Sequence, residues 1–283
     1  TIIIPIKAGL EPTAVQRLAT LVWPREQFEL LVAEGTCPSR QRNRAVQEAR
    51  GEIIYFLDDD SLVAPDALQR LERHFDDPQV AAVGGPSLTP AGDSLLQRAF
   101  GAVFSTLLGA GGVRNRYRAV GEARMTTERE LILCNLAFRR DMFLAAGGLD
   151  ERLYPNEENE LLDRLRKRGF VLLHDPRLAV YRSQRPTVTA FARQLFRYGK
   201  GRAEQTKIAG FSGLMPFVPL VFLLYLLSLP LVPNLFWLAP LITYLVAVLL
   251  CSLRVAFRYR SIAFLVLLPL LFPLLHVANG FGL

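Results

Sequence analysis

Short apolar runs alternate with polar, helix-like segments along the chain as far as about residue 207. Predicted strands occupy residues 2–6, 28–33, 53–57, 80–83, 131–138, 171–173 and 179–181. Predicted helices occupy residues 11–21, 38–49, 65–75, 94–108, 141–146 and 160–168. Strands that alternate with helices favour a parallel sheet with right-handed crossovers. The unbroken apolar run at 53–57 is typical of a strand that is buried on both faces.

The pattern changes near the end of the chain, which becomes almost wholly apolar from residue 213 onward. Three apolar spans, at 214–232, 235–253 and 262–278, are each close to the ~20 residues that a helix needs to cross a bilayer. A helix predicted just before them mixes aromatic and basic residues, which suits the headgroup layer of a membrane. We therefore predict a globular domain at 1–188, an amphipathic interfacial helix at 189–210 and a transmembrane domain at 211–283.

The formal net charge of +7 would also suit a nucleic-acid-binding protein, but the chain has no zinc-finger spacing and no RNA-binding aromatic signature. We therefore expect no nucleic-acid partner. Much of the basic excess lies beside the apolar spans, including Arg254, Arg258 and Arg260, whereas the loop predicted at 230–234 has no basic residue. This bias predicts an integral membrane protein in contact with membrane lipids, with its globular domain on the cytoplasmic side.

Cysteine usage and the first residues bear on the compartment. Cys37, Cys134 and Cys251 are few and widely spaced, which suggests neither a disulfide framework nor a zinc site and favours a reducing compartment. The sequence opens on a strand-like run without a basic region and apolar core of the signal-peptide kind, so we expect no signal peptide in it.

Three carboxylates, Asp58, Asp59 and Asp60, directly follow the buried strand at 53–57. In an open α/β sheet, ligands bind at the carboxyl ends of the strands. Adjacent carboxylates repel one another, and hard oxygen ligands suit Mg²⁺ or Mn²⁺, above all when substrate phosphates complete the coordination shell. The alternative is structural, because Ser61 or Asp60 could cap the next helix.

Three further segments bear on the site. The helix predicted from 38 begins with several arginines and has Ser39 as its expected N-cap, so its first turn would attract anions. The carboxylates at 157–160 precede or begin another helix, where the helix dipole alone could explain them. Residues 109–129 are rich in Gly and Arg without a clear period, and we predict a mobile lid or binding loop there.

The order of these motifs resembles the family 2 glycosyltransferases with a GT-A fold. The motifs that carry the resemblance lie at residues 38–44, 49–51, 56–60, 135–140, 147–151 and 156–161. The segment 194–202, followed by apolar spans, is similar to the polysaccharide-type members, such as the succinoglycan-type enzymes. The resemblance implies that 1–188 is a GT-A catalytic domain with a mostly parallel sheet.

The resemblance also implies a nucleotide-sugar donor and inversion at the anomeric carbon. Asp58 and Asp60 match the D-x-D element, which would hold Mg²⁺ or Mn²⁺ against the diphosphate. Glu158 matches the catalytic base, which is usually an Asp, and would take the proton of the acceptor hydroxyl. Glu157 is the competing candidate for the base.

Further residues are assigned through the same resemblance. The expected donor-binding residues are Pro5, Glu34, Arg40, Arg42, Asn43, Asp58, Asp59, Arg182 and Arg185. The expected acceptor-side residues are Asn135, Gln194 and Arg197. Glu34 replaces an Asp-rich turn that often contacts the base and ribose, and Arg182 stands where a His is often found.

We therefore expect an inverting glycosyltransferase that acts on a lipid-linked acceptor, a polyprenyl phosphate or a glycolipid, at the cytoplasmic membrane face. Two alternatives remain open. A processive polysaccharide synthase is disfavoured because 194–202 lacks the Gln-x-x-Arg-Trp form. A nucleotide-sugar-binding membrane protein without catalysis remains possible because Glu158 replaces the usual Asp.

Overall fold

The computed structural model describes residues 1–210, 213–232 and 234–283. These residues form two compact units, Thr1–Pro90 with Asn115–Ser183, and Ala91–Arg114 with Gln184–Leu283. The second unit thus includes 91–114, which the sequence pattern assigns to the globular domain, and the predicted domain boundaries stay predictions. The first two residues of the predicted transmembrane domain, and position 233 in the loop predicted at 230–234, lie outside the described residues.

All the strands belong to the first unit, as far as the described residues go. They are β1 Ile2–Ile6, β2 Leu30–Glu34, β3 Ile53–Leu57, β4 Val80–Gly84, β5 Ser87–Leu88, β6 Arg124–Met125, β7 Asn135–Arg139, β8 Val171–His174 and β9 Val180–Tyr181. Seven of these described strands form a sheet in the order β2-β1-β3-β7-β4-β8-β6, and β5 pairs in parallel with β9. In the sheet, β7 and β6 run antiparallel to their neighbours and the other strands share one direction. The prediction of a mostly parallel α/β sheet is confirmed.

Helices flank the sheet in the first unit and make up the second. Those of the first unit are α1 Ala14–Leu18, α2 Pro38–Glu48, α3 Ala67–His74, α6 Arg140–Ala145 and α7 Glu157–Lys167. Those of the second are α4 Leu95–Phe104, α5 Leu107–Ala110, α8 Val188–Ala209, α9 Val218–Ser228, α10 Ala239–Tyr259 and α11 Ala263–Gly282. Short 3-10 helices lie at Arg25–Gln27, Gly111–Tyr117, Met215–Phe217, Leu229–Leu231 and Leu235–Leu238.

The central strands are buried on both faces, as the sequence predicts. Successive β3 residues alternate between two apolar clusters, because strand side chains point to opposite faces in turn. Ile54 and Phe56 join one cluster, and Tyr55 and Leu57 join the other. Both faces are therefore closed to water, and only the strand ends can present polar groups to a ligand.

Several predicted elements are wrong in extent, and for three of them the structure shows a local reason. The helix predicted at 11–21 begins only at Ala14, because the hydroxyl of Thr13 and the amide of Ala14 both donate to the Asp59 carbonyl. The helix predicted at 94–108 divides where Thr106 caps α5 by accepting from the Gly109 amide. Residues 131–134 are not in β7, since the Asn135 amide closes a turn onto the Ile132 carbonyl.

In the second unit, α8 and α11 pack through glycines. A Cβ on Gly199 of α8 would lie 2.1 Å from the Asn279 carbonyl oxygen, and one on Gly282 of α11 would lie 2.1 Å from that of Phe196. The two backbones therefore touch where no side chain fits. Helix α8 spans most of the predicted interfacial helix.

Among the described residues, two helical segments are long and apolar enough to cross a membrane, Leu235–Tyr259 and Ala263–Gly282. The apolar segment Met215–Leu231 is shorter than such a helix. It divides into a helix between two 3-10 turns, at Pro216 and Pro230. The prediction of three membrane helices is thus not confirmed.

Candidate active site

The aspartates lie in a turn that directly follows β3. Ser61 is fully buried, and its hydroxyl accepts a hydrogen bond from the Asp58 amide (3.2 Å) and donates to the Cys134 carbonyl (3.1 Å). Helix α3 begins only at Ala67, with Asp66 as its N-cap. The idea that Ser61 or Asp60 caps the next helix is therefore wrong. Ser61 instead fixes the turn at the strand end.

Two arginines hold the carboxylates of this turn. Arg42, which is 4% exposed, places Nη2 2.9 Å from Oδ1 of Asp58. Arg182 places Nη1 3.0 Å from Oδ2 of Asp58 and Nε 2.5 Å from Oδ1 of Asp60. Asp58 thus lies between two guanidinium groups, and Asp58 and Asp60 converge on one cationic group. Of the predicted donor residues, Arg42, Asp58 and Arg182 are brought together.

Arg42 also reaches the first predicted glutamate. Its Nη1 lies 3.5 Å from Oε1 of Glu157, which is 3% exposed at the start of α7. Burial raises the pKa of Glu157 to about 7, and the neighbouring Glu158 charge adds to this while Arg42 opposes it. One guanidinium therefore joins the turn after β3 to the first turn of α7, which lie far apart in sequence.

The second glutamate has a different partner. Oε1 of Glu158 lies 3.4 Å from Nη1 of Arg116, which is buried in the 3-10 helix Gly111–Tyr117. The same guanidinium donates to the side-chain oxygen of the buried Asn159. The sequence predicts a mobile lid or binding loop at 109–129 and singles out none of its residues, whereas the structure places Arg116 of this segment against Glu158. The segment lacks a period, so the sequence offers no signal for that contact.

Other predicted donor residues lie around α2. Ser39 is the expected cap of this helix, but the helix begins at Pro38 after Cys37, and the Ser39 hydroxyl donates to the Leu153 carbonyl. Asn43 donates to the Leu149 carbonyl and accepts from the Leu149 amide, at 2.8 and 2.9 Å. It therefore clamps the glycine turn before residue 149.

Three more predicted donor residues lie on the surface or a strand end. Arg40 is exposed and pairs with Glu151 at 2.8 Å. Glu34 is exposed at the end of β2, and Pro5 lies beside Ala33 in the register of β1 and β2. Among the described residues, none of these three forms a hydrogen bond or an ion pair with the aspartates at 58–60.

Comparison with known proteins decides the family. The model of the family described as glycosyl transferase family group 2 matches residues 53–277, which is most of the chain. This chain belongs to that family. The succinoglycan biosynthesis protein ExoA of Rhizobium meliloti (strain 1021) is 32% identical over 186 residues, covering 63% of this chain and 53% of that protein.

One further relative and one solved structure are similar to this family 2 chain. An uncharacterized protein of Mycobacterium tuberculosis (strain CDC 1551 / Oshkosh) is 27% identical over 154 residues, covering 53% of this chain and 48% of its own. The chain spans about half the length of the curated relatives that it matches. A mannosyltransferase of Pyrobaculum calidifontis, in complex with GDP-Man and Mn²⁺, aligns with 99% of this chain and 84% of its own, at TM-score 0.59 and 15% identity. This likeness shows a shared fold.

Divalent metal binding by this family 2 chain can be judged from the carboxylates. Among the described residues, no group of three or more His, Cys, Asp and Glu side chains is arranged to hold a metal ion. Asp58 and Asp60 converge on Arg182. Mg²⁺ commonly binds one or two carboxylates with substrate phosphates supplying further ligands, so the pair fits a cation that arrives with a diphosphate. Burial and the charges of its neighbours raise the pKa of Asp59, which disfavours its charged form.

The predicted acceptor-side residues fall in three different settings. Asn135 is 1% exposed, accepts from the Tyr55 hydroxyl at 2.6 Å and donates to two backbone carbonyls. These contacts use the amide inside the protein, and the acceptor-side role of Asn135 stays a prediction. In the second unit, Gln194 bridges Arg185 and the Tyr198 hydroxyl, and Arg197 is exposed on α8.

Proposed function

We propose that this chain is an inverting glycosyltransferase that transfers one sugar from a nucleotide-sugar donor to a lipid-linked acceptor at the cytoplasmic face of a membrane. The observation that carries the proposal is the guanidinium of Arg42, shared by Asp58 and Glu157. It joins a carboxylate turn at the end of a sheet strand, where ligands bind in α/β folds, to a buried acid that can take a proton.

The donor side is assigned to the aspartate turn. Asp58 and Asp60 would hold Mg²⁺ or Mn²⁺, and a divalent ion there would offset the charge that the departing nucleoside diphosphate gains. Arg182 spans both carboxylates and supplies a guanidinium, which binds phosphate oxygens in a bidentate way. The GDP-Man and Mn²⁺ complex of the structurally similar mannosyltransferase supports a nucleotide-sugar donor as the ligand.

The acceptor side is assigned to the first turn of α7. The acceptor oxygen forms a bond to the anomeric carbon, the bond from that carbon to the diphosphate breaks, and the acceptor proton moves to a carboxylate. Glu158 is proposed as this base on the motif, and Glu157 remains its competitor because a pKa of about 7 suits a base that works near neutral pH. The other glutamate then stays in its ion pair and neutralises the charge of its arginine.

The membrane assignment rests on the second unit. It contains the two long apolar helical segments, and large apolar side chains on them, such as Phe236 and Phe257, are more than four fifths exposed. Water disfavours such surface, and lipid does not. We expect the protein to stay in the membrane pellet after alkaline carbonate washing, and release into the supernatant would contradict the integral assignment.

The reaction can be tested by release of nucleoside diphosphate. Purified protein is supplied with a panel of nucleotide sugars, with or without Mn²⁺, and with membrane lipid extract as acceptor. We expect metal-dependent turnover that Asp60→Ala and either Glu158→Gln or Glu157→Gln reduce by about 100-fold or more. Glu72→Gln, a change at an exposed position on α3, is the matched control and should keep its rate.

The outcomes separate the alternatives. Equal turnover in the wild type and all three site variants would refute the assignments. A long polymer as product would instead indicate a processive synthase. Donor binding without turnover over a broad acceptor panel would indicate a binding protein. The base is the glutamate whose replacement by Gln lowers turnover more.

A further inference from the structure

The side chain of Arg116 is the most fully engaged cation beside the two glutamates. It is 8% exposed, and its Nε donates to the Arg129 carbonyl at 2.9 Å. Its Nη2 donates to the Glu128 carbonyl and to the Asn159 side chain, and its Nη1 lies 3.4 Å from Glu158. The guanidinium is therefore fixed by two backbone carbonyls on one side and faces α7 on the other.

The charge of this buried group has a specific counter-charge. Among the described residues, Glu158 is the acidic side chain with which Arg116 forms an ion pair, while Glu157 pairs with Arg42. A buried charge is costly unless it is paired and hydrogen-bonded. Because the carbonyl contacts set the plane of the fork, Glu158 can meet it only in a restricted orientation.

We propose that Arg116 is a positioning residue that holds the Glu158 carboxylate toward the acceptor, while Arg42 holds Glu157 toward Asp58. This inference rests on the proposed function with Glu158 as the base. It gives a segment without motif character a part in the reaction.

The variants Arg116→Gln and Arg116→Lys test the inference in the chain of 283 residues. Misplacing a catalytic group by about 1 Å can cost about 100-fold in rate, so we expect Arg116→Gln to lower kcat about 100-fold with the donor KM changed less than about threefold. Arg116→Lys keeps the charge and should recover part of the loss. Arg129→Gln is the matched control, because its side chain is 62% exposed and only its backbone contacts Arg116. An Arg116→Gln enzyme with wild-type kcat would overturn the proposal.

A double-mutant cycle shows whether Arg116 acts through Glu158. We expect Arg116→Gln to add less than about threefold to the kcat loss of Glu158→Gln, since the group that it positions is already gone. Losses that multiply in full would overturn the inference. Thermal unfolding of the same four proteins gives a readout without turnover. An equal drop in melting temperature on adding Arg116→Gln to the wild type and to the Glu158→Gln variant would refute the pairing of Arg116 with Glu158. This test holds even if the wild type transfers no sugar.

Discussion

Replacing the buried Glu157 with Gln, its neutral isostere, should make the protein more stable. Its pKa lies at about 7, against an ordinary value of 4.5, mainly because it is buried. A group whose folded-state pKa is raised contributes full stability below its unfolded pKa, and that stability is lost as pH rises through the folded value. The loss therefore runs from about pH 4.5 to just above pH 7.

The size of the effect follows from the two pKa values. A difference of about 2.5 corresponds to about 3 kcal/mol at about 1.4 kcal/mol for each pKa unit. Gln imitates the protonated acid at every pH, so Glu157→Gln should equal the wild type near pH 4.5 and exceed it by about 3 kcal/mol at pH 8.5. For a chain of this size, that gain is about 6–12 °C in melting temperature.

Glu130 offers a matched control of opposite sign in the same unit. Burial acts to raise its pKa, but hydrogen bonds from Arg124, Asn115 and Thr126 outweigh burial and lower it to about 2. A lowered pKa gives stability that is present above pH 4.5 and is lost as pH falls through about 2. Glu130→Gln should therefore destabilise the protein at pH 7 by about 3 kcal/mol.

Thermal unfolding in detergent, followed at intervals from pH 4.5 to 8.5, measures both changes. The wild-type melting temperature should fall relative to Glu157→Gln as pH rises, whereas Glu130→Gln should stay below the wild type throughout. If Glu157→Gln melts at or below the wild type at pH 8.5, Glu157 is not a buried carboxylate with a raised pKa. The chemical role proposed for Glu157 then loses its physical basis.

Two further changes are informative. Gly199→Ala places a Cβ 2.1 Å from the Asn279 carbonyl oxygen and should destabilise the second unit by about 1–3 kcal/mol. Its control is Gly92→Ala, whose Cβ meets nothing within 4 Å and which should stay within about 1 kcal/mol of the wild type. Equal melting temperatures of the two variants would refute the close helix contact. Arg182→Gln removes a cation that competes for Asp58 and Asp60, so Mn²⁺ should bind at least about tenfold more tightly in calorimetry without donor, and weaker binding would contradict this.

The strands that could be predicted from the sequence are those whose composition is almost wholly apolar. β1 and β3 fall at their predicted bounds, because a continuous apolar run has few other stable environments. The antiparallel direction of β7 was beyond sequence reasoning, since strand direction depends on how the chain returns to the sheet. The predicted start of α1 was wrong for a similar reason, because the first groups of this segment donate to the Asp59 carbonyl, which is distant in sequence.

At the candidate site, acidic residues were easier to find than their partners. Asp58, Asp60 and Glu157 lie in short dense motifs, and the structure joins them through Arg42 and Arg182. Asn135 lies in such a motif too, yet its amide serves the interior. A motif thus marks where polar groups gather, but whether a group faces the ligand or the core depends on contacts that are distant in sequence.

Helix-dipole capping, the simplest explanation for the acidic start of α7, can be weighed by magnitude. A carboxylate in a first helical turn gains about 0.3–1 kcal/mol from the dipole. Glu160 fits that explanation, since it is partly exposed and pairs with Arg164 at 2.5 Å one turn later. For Glu157 the direction is the opposite, because burial raises its pKa and so disfavours the charged form that the dipole would favour. A helix that needed only a capping charge would be better served by an exposed acid or by Gln, so the burial of Glu157 against Arg42 favours a chemical role.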